Sequence, residues 1–148
     1  MQTLREQLGT GDKRRQVIQD ACGVLDQEVG DKGGLTGLAI KAAYKVVKGI
    51  RPGFIPEVVD ALLDEFLDAV EPLYQESVSN KRPAGSGVRD NPARVADGLL
   101  AVTDRKSQKA KSQVVKSAYE KLRPSAKKQV EAACPRLAGL LERHAAAS

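Results

Sequence analysis

Apolar residues recur at every third or fourth position along almost the whole of this chain. This spacing is the period of an α-helix with one apolar face, and no run alternates apolar and polar residues between hairpin turns as a β-strand would. Only 3% of the residues are aromatic and none is tryptophan, so the core must consist of alanine, leucine and valine. The pattern predicts an all-α fold, a compact bundle of six or seven helices built from helical hairpins.

The chain has 148 residues, enough to bury an apolar core without a metal or a disulfide. We therefore expect one helical domain over residues 1–148, in which an acidic half (1–76) and a basic half (92–148) are joined by a mobile loop (77–91). The loop is predicted from "SVSNKRPAGSGVRDN", which is almost free of apolar residues and rich in glycine, proline and turn formers.

Several helix boundaries can be predicted from capping residues and prolines. Thr3 and Glu6 form a capping-box pattern for a short first helix. Pro56 suits the first turn of the fourth helix, and Pro72 should end or kink that helix. Separate helices are expected before and after Pro124, with Ser125 as a cap.

The third helix is predicted over residues 35–48, with Gly49 as its C-terminal stop. A broad apolar face should point inward and comprises Leu35, Leu38, Ala39, Ala42, Ala43, Val46 and Val47. Its small residues, together with Gly37, should let a neighbouring helix approach. Replacing Gly37 or Ala42 by leucine should then destabilise the fold by roughly 1–3 kcal/mol.

The stretch "GDKGGLTGLAIKAAYKVVKGIRPGFIP" that contains this helix also resembles a phosphate-binding loop in its glycine content. It lacks the Gly-Lys-Ser/Thr ending of a P-loop, and no buried strand precedes the glycines. We interpret the glycines as a hinge. The lysines of the helix, at positions 41, 45 and 48, are expected to face acids of the fourth helix such as Asp60 and Asp64.

A faint repeat links "KAAYKVVKGIRP" from Lys41 and "KSAYEKLRP" from Lys116. Each copy places an Ala-Tyr pair on a helix that ends in Arg-Pro. Duplication of a helical hairpin and chance convergence under the same packing rules both explain the pattern.

Charge divides the chain into two opposite halves. Residues 1–76 hold 9 basic and 13 acidic side chains, a net charge of −4, and residues 77–148 hold 15 basic and 6 acidic side chains, a net charge of +9, which together give the overall +5. Seven acids and no base lie within residues 56–76, whereas nine bases and one acid lie within residues 105–128.

This basic segment is the candidate polyanion-binding site. Its members are Arg105, Lys106, Lys109, Lys111, Lys116, Lys121, Arg123, Lys127 and Lys128. Clustered bases bind nucleic acid by releasing its counterions, but Tyr119, the one aromatic residue here, falls on the inward stripe and is not free to stack on bases. A solvated face partly neutralised by the acidic helix is the alternative, and a membrane surface or another anionic polymer is a third.

No pattern of catalytic or metal-binding residues emerges. Asp60, Asp64 and Asp68 share one helix face, yet they oppose the apolar stripe and lack the histidines of a helical-bundle metal centre. The single histidine, His144, falls in a frayed alanine-rich end. Ser125 begins a Ser-x-x-Lys pattern without the companion motifs of the enzymes that use it. We expect no catalytic residues, no cofactor and no metal.

The two cysteines, Cys22 and Cys134, fall on apolar helical faces far apart in sequence. Two buried reduced thiols are favoured, and a disulfide between the first and last long helices is the alternative. The N-terminus lacks the apolar run of a signal peptide, and no segment is apolar enough to span a membrane. These features predict a cytoplasmic protein.

The segments "GLTGLAIKAAYKVVKGIRPGFIPEVVDALLDEFLDAVEPLYQE" and "GLLAVTDRKSQKAKSQVVKSAYEKLRPSAKKQVEAACPRL" resemble an uncharacterised family of small bacterial helical proteins, a domain of unknown function. The resemblance implies an all-helical bacterial cytoplasmic protein and brings no activity or site residues with it.

Taken together, these patterns favour a non-catalytic structural or protein-interaction role. The expected partner is another protein or a second copy of the chain, and a nucleic acid bound through residues 105–128 is the alternative.

Overall fold

A computed structural model describes residues 2–145 and arranges them in seven helices. The helices are α1 (Leu4–Leu8), α2 (Gly11–Asp31), α3 (Gly34–Lys48), α4 (Phe54–Ser79), α5 (Ser86–Asp90), α6 (Pro92–Gln108) and α7 (Gln113–His144). No strand occurs in the part of the chain that the structure describes. The predicted all-α bundle of six or seven helices is confirmed.

The two longest helices, α4 and α7, provide most of the surface on which the others pack. Helix α4 contacts α1, α2, α3, α5 and α6, and helix α7 contacts α2, α3, α5 and α6. Helices α2 and α7 run antiparallel, because Asp20 pairs with Arg143 whereas Glu28, later in α2, pairs with the earlier Arg136. None of the helices in residues 2–145 combines the length and apolar character needed to cross a bilayer.

The core is aliphatic, as the shortage of aromatic residues predicts. Its largest fully buried side chain is Tyr74 of α4, whose hydroxyl accepts a hydrogen bond from Gln7 Nε2 at 2.9 Å. One cluster of buried residues joins both halves of the chain, since it contains Leu4 and Val17 from the acidic half and Val88 from residues 77–91. Cys134, Ala138, Leu140 and Leu141 of α7 belong to the same cluster.

The capping residues predicted at Thr3 and Gly49 occupy the expected helix ends. Thr3 Oγ1 accepts a hydrogen bond from Glu6 N at 3.1 Å, and Thr3 N donates to Glu6 Oε1 at 3.1 Å, so the capping box is confirmed. Gly49 caps the end of α3. Helix α4 begins two residues before Pro56, which lies in its first turn, where a missing N–H leaves no intrahelical bond unmade.

The prediction of separate helices before and after Pro124 is wrong, and Pro72 does not end α4. Helix α4 continues through Pro72 to Ser79, and α7 is one helix of 32 residues that contains Pro124 and Pro135. Each proline removes one backbone hydrogen bond, but side chains on both sides of it are buried, for example Leu67 and Leu73 around Pro72. Burial on both flanks offsets the lost bond and keeps the helix continuous. Ser125 is consequently not a cap, and its Oγ donates to Leu122 O at 3.3 Å inside α7.

The segment predicted as a loop over residues 77–91 is mostly helical or buried. Its first three residues finish α4, and residues 86–90 form α5. Ala84, Ser86 and Val88 are 3%, 6% and 0% exposed. The prediction failed because the segment packs by backbone contact through small residues and therefore shows no apolar periodicity.

Two glycines and a serine make this packing possible. Ser77 Oγ donates to Leu73 O at 2.9 Å and accepts a hydrogen bond from Gly87 N at 2.8 Å. A Cβ on Gly87 would lie 2.6 Å from Leu73 O, and a Cβ on Gly85 would lie 2.4 Å from Ala138 O. Only glycine permits the backbone to approach α4 and α7 this closely.

We expect Gly85→Ala to destabilise the fold by about 1–3 kcal/mol or more, because the new Cβ overlaps backbone atoms that cannot rotate away. Chemical denaturation measures the change. The matched control is Gly23→Ala in α2, where a Cβ meets no atom within 4 Å. This control should stabilise the helix by about 0.5–1 kcal/mol. Equal effects of the two substitutions would contradict the close packing of residues 84–88.

Candidate interaction surfaces

The nine residues of the predicted polyanion site lie at the end of α6, in the α6–α7 turn and along the first half of α7. Four of them form ion pairs. Arg105 and Lys106 bind to Glu65 of α4 at 2.8 and 3.1 Å. Arg123 binds to Asp104 at 2.9 Å and Lys127 binds to Asp97 at 3.0 Å.

These ion pairs hold their acids in the charged form. Hydrogen bonds from Arg105 and then Lys106 lower the pKa of Glu65. The pKa of Asp104 is lowered first by Arg123 and then by the hydroxyl of Tyr119. Part of the basic segment is thus neutralised within the protein, by α4 and by α6 itself.

The other five bases of the segment have no ion-pair partner among the described residues. They are Lys109, Lys111, Lys116, Lys121 and Lys128. Tyr119, which lies among them, is half-buried and donates a hydrogen bond to Asp104. The segment therefore presents ammonium groups to solvent but no free aromatic ring.

Three acids of α4 bind to arginines of the first two helices. Arg14 of α2 contacts both Asp60 and Asp64 at 2.8 Å, and Arg5 of α1 contacts Asp68 at 2.6 Å. The prediction that lysines of α3 face these acids is wrong, because Arg14 already occupies that position. No group of three or more potential metal-binding side chains occurs within residues 2–145.

Most of the apolar face predicted to point inward is exposed, and of its seven residues only Ala43 and Val47 are partly buried. Leu35, Leu38 and Val46 are 86%, 64% and 55% exposed, and Ala39 and Ala42 are also exposed. The buried residues of the helix are Gly37 and Ile40. We call the surface formed by Leu35, Leu38, Ala39, Ala42 and Val46 the outer face of α3.

Helix α3 turns this way because a glycine and a tyrosine fix it to α2. A Cβ on Gly37 would lie 2.6 Å from the backbone carbon of Lys32, so the start of α3 packs on the turn that precedes it. Tyr44 donates a hydrogen bond to Asp26 of α2. These contacts select the side with Gly37, Ile40 and Tyr44 as the inner one. The small residue at position 37 thus accommodates the turn and not a neighbouring helix.

Lysines follow one side of the outer face. Lys41 and Lys45 have no ion-pair partner among the described residues, whereas Lys48 lies 3.6 Å from Asp26 and Lys32 lies 3.2 Å from Glu28. Next to the leucines, an open depression of about 420 Å³ is lined by Lys32, Gly33, Gly34, Leu35, Leu38 and Lys41. The missing side chains of the two glycines leave it open.

The sequence repeat corresponds to a repeated contact. In each copy the tyrosine hydroxyl donates to an aspartate of the preceding helix, and a base four residues later binds to the same carboxylate. The two sets are Asp26, Tyr44 and Lys48, and Asp104, Tyr119 and Arg123. Burial, and then the hydrogen bond to aspartate, raises the pKa of both tyrosines, so they stay protonated donors that join α2 to α3 and α6 to α7.

The remaining reactive side chains are occupied or protonated. Cys134 is buried and Cys22 is partly exposed, so the prediction of two buried thiols holds for Cys134 only; both are free. Burial raises the pKa of Cys134 to about 11 and also raises that of Cys22, which keeps both thiols in the unreactive protonated form. His144 is not frayed, because it ends α7 and its Nε2 lies 2.8 Å from Asp20.

A family model described as a family of unknown function (DUF6918) matches residues 4–145. The chain belongs to this family. The matched range includes all seven helices, so the outer face of α3 and the basic segment are both parts of the family domain. No curated protein and no solved structure matches the chain. The predicted resemblance to an uncharacterised helical family is confirmed.

Substitutions at Gly37 and Ala42 should differ in their effect on stability, because Gly37 lies on the inner side of α3 and Ala42 on its outer face. We expect Gly37→Leu to destabilise the fold by roughly 1–3 kcal/mol, because the side chain meets the Lys32 backbone. Ala42→Leu should leave the free energy of unfolding within about 0.5 kcal/mol of wild type, since position 42 is exposed. Thermal unfolding of both variants measures the difference, and a large loss for Ala42→Leu would contradict the observed direction of α3.

Proposed function

We propose that this protein is non-catalytic and acts by binding another protein through the outer face of α3. The observation that carries the proposal is the exposure of Leu35, Leu38 and Val46 on one side of one helix. Contiguous apolar surface on a monomer is a characteristic of interaction sites. Burying each leucine against a partner contributes roughly 1.5–3 kcal/mol, so this short face can support specific association.

The state of the reactive side chains supports a non-catalytic role. The thiols of Cys22 and Cys134 are protonated at neutral pH, and His144 is engaged by Asp20 between two helices. Tyr44 and Tyr119 use their hydroxyls to hold hairpins together. The open depression beside α3 is lined by apolar carbons and lysines, and no cysteine, serine, threonine or histidine lines it.

We further propose that the protein works in the bacterial cytoplasm. Two free cysteines support this location, since extracellular proteins tend to pair such residues as disulfides.

Substitution of the two exposed leucines tests the interaction role. We expect Leu35→Gln/Leu38→Gln to fold like wild type and to lose at least one protein that the wild-type chain retains from its native cell extract. The matched control is Val114→Gln, because Val114 is an apolar residue of α7 that is 45% exposed. Quantitative mass spectrometry compares the three samples. If every captured protein is retained equally by all three chains, the proposed role is wrong.

The second candidate function is binding of a nucleic acid through the basic segment. The observation in its favour is the set of five lysines around the α6–α7 turn that have no ion-pair partner within residues 2–145. Against it stands the engagement of Tyr119 with Asp104, which leaves no ring for stacking on bases.

Charge reversal tests this second function. If it is correct, affinity for duplex DNA or RNA falls steeply with rising salt, and Lys109→Glu/Lys111→Glu/Lys121→Glu/Lys128→Glu abolishes binding. A control with the same change in net charge reverses Lys13, Lys41, Lys45 and Lys81 instead, and it should retain binding. Fluorescence anisotropy measures both series. No binding at low salt, or an equal loss in the control, would exclude a nucleic-acid site at this segment.

A further inference from the structure

We propose that the outer face of α3 binds an amphipathic helix whose apolar side is bordered by carboxylates. The inference rests on the proposed interaction function and specifies the chemistry of the partner. Three properties of the face support the inference. They are the spacing of its apolar residues, the depression at its N-terminal end, and the lysines on one side that have no ion-pair partner among the described residues.

The spacing and size of the apolar residues match a helical partner. Apolar residues recur at intervals of three and four residues, at Leu35, Leu38, Ala42 and Val46. This is the spacing of the contact residues when an amphipathic helix binds in a groove. Ala39 and Ala42 lie between the larger residues and are exposed. Small residues in the middle of a face let a second helix axis come close, with the larger side chains packing on either side of it.

The depression at the start of α3 supplies a place for one anchoring side chain. Its volume of about 420 Å³ is bounded by Leu35 and Leu38, and by the two glycines of the α2–α3 turn. Binding energy in helix recognition concentrates in one or two large apolar residues that enter such a recess. A leucine or phenylalanine of the partner would bury both exposed leucines there.

Charge determines which helix fits. Helix α3 contains three lysines and no acidic residue. Lys48 is engaged by Asp26, which leaves Lys41 and Lys45 available beside the apolar residues. Opposite charges across an interface raise the association rate and reject partners of like charge. A partner helix with glutamate or aspartate along its border would therefore form ion pairs with both lysines.

The same charges argue against a second copy of the chain as the occupant. Pairing of two α3 helices brings together lysines from both copies and a carboxylate from neither. A homodimer through this face would leave like charges unpaired at its edge, which is destabilising. An anionic membrane is also a poorer fit, since the face carries two leucines, a valine and two alanines but no aromatic residue.

Two designed peptides of 18 residues test the inference. Both are helical with leucines at intervals of three and four, and they differ only in bordering residues, which are glutamates in one and lysines in the other. We expect the glutamate peptide to bind the full chain at least about tenfold more tightly than the lysine peptide. Leu38→Gln should weaken its binding by about tenfold or more. Lys41→Gln/Lys45→Gln should remove most of the preference between the peptides and most of the salt dependence of binding.

Fluorescence anisotropy follows binding, and circular dichroism verifies that each variant is folded. Val114→Gln serves as the control that leaves peptide binding unchanged. The inference is overturned if the glutamate peptide binds with a Kd weaker than about 1 mM, or no better than the lysine peptide. Binding that requires Leu38 but goes to phosphatidylserine vesicles would overturn it in favour of a membrane. Dimerisation that Leu38→Gln abolishes, measured by sedimentation velocity, would overturn it in favour of a second copy.

The capture and peptide experiments together distinguish a failure of this inference from a failure of the proposed function. If the two-leucine variant loses a captured protein but the glutamate peptide shows no preference, the interaction role stands and the acidic helix is wrong. If neither experiment depends on Leu35 or Leu38, both proposals fail.

Discussion

The hydrogen bond from Gly87 N to Ser77 Oγ folds the segment between the two charged halves of the chain back on itself. It fixes the short α5 region against α4, and Gly85 then sets the same segment directly on the backbone of α7 at Ala138. Residues 84–88 thus lie between α4 and α7, as do helices α2 and α6, which contact both of them. Because each contact is made by backbone or by a very small side chain, it tolerates almost no added volume.

Helix α3 packs against α2, α4 and α7 with few buried residues of its own. Only Gly37 and Ile40 of its 15 residues are buried, and its hydrogen bond to α2 comes from Tyr44. Among the described residues Lys41 and Lys45 have no ion-pair partner, and Asp60, Asp64 and Asp68 of α4 are bound by Arg14 and Arg5. An apolar face and these two lysines thus lie on the same helix.

Most of the fold could be predicted from the sequence, because amphipathic spacing and capping are local signals. The extents of α3 and the capping box at Thr3 follow directly from the residues present. The continuity of α4 and α7 through their prolines could not be predicted, since it depends on burial by distant helices. Residues 84–88 were missed for a related reason: small residues that pack by backbone contact leave no periodic signal.

Only part of the candidate surface could be predicted from the sequence. The apolar residues of α3 were found, but the stripe from Leu35 to Val47 covers so much of the helix that spacing alone does not say which side is inner. Gly37 and Tyr44 identify the inner side, but their contacts can be recognised only once the position of α2 is known. In the basic segment, sequence identified nine bases, but only the structure shows which of them have Glu65, Asp97 or Asp104 as partners.

A partner that covers the outer face of α3 in the cell should protect cysteines introduced there from chemical labelling. A cysteine at position 35 should react rapidly with a maleimide in the purified protein and slowly in native cells, where the partner is present. A cysteine at the exposed position 114 should react rapidly in both, and one at the buried position 40 slowly in both. Equal rapid labelling at position 35 in the purified protein and in cells would contradict the account.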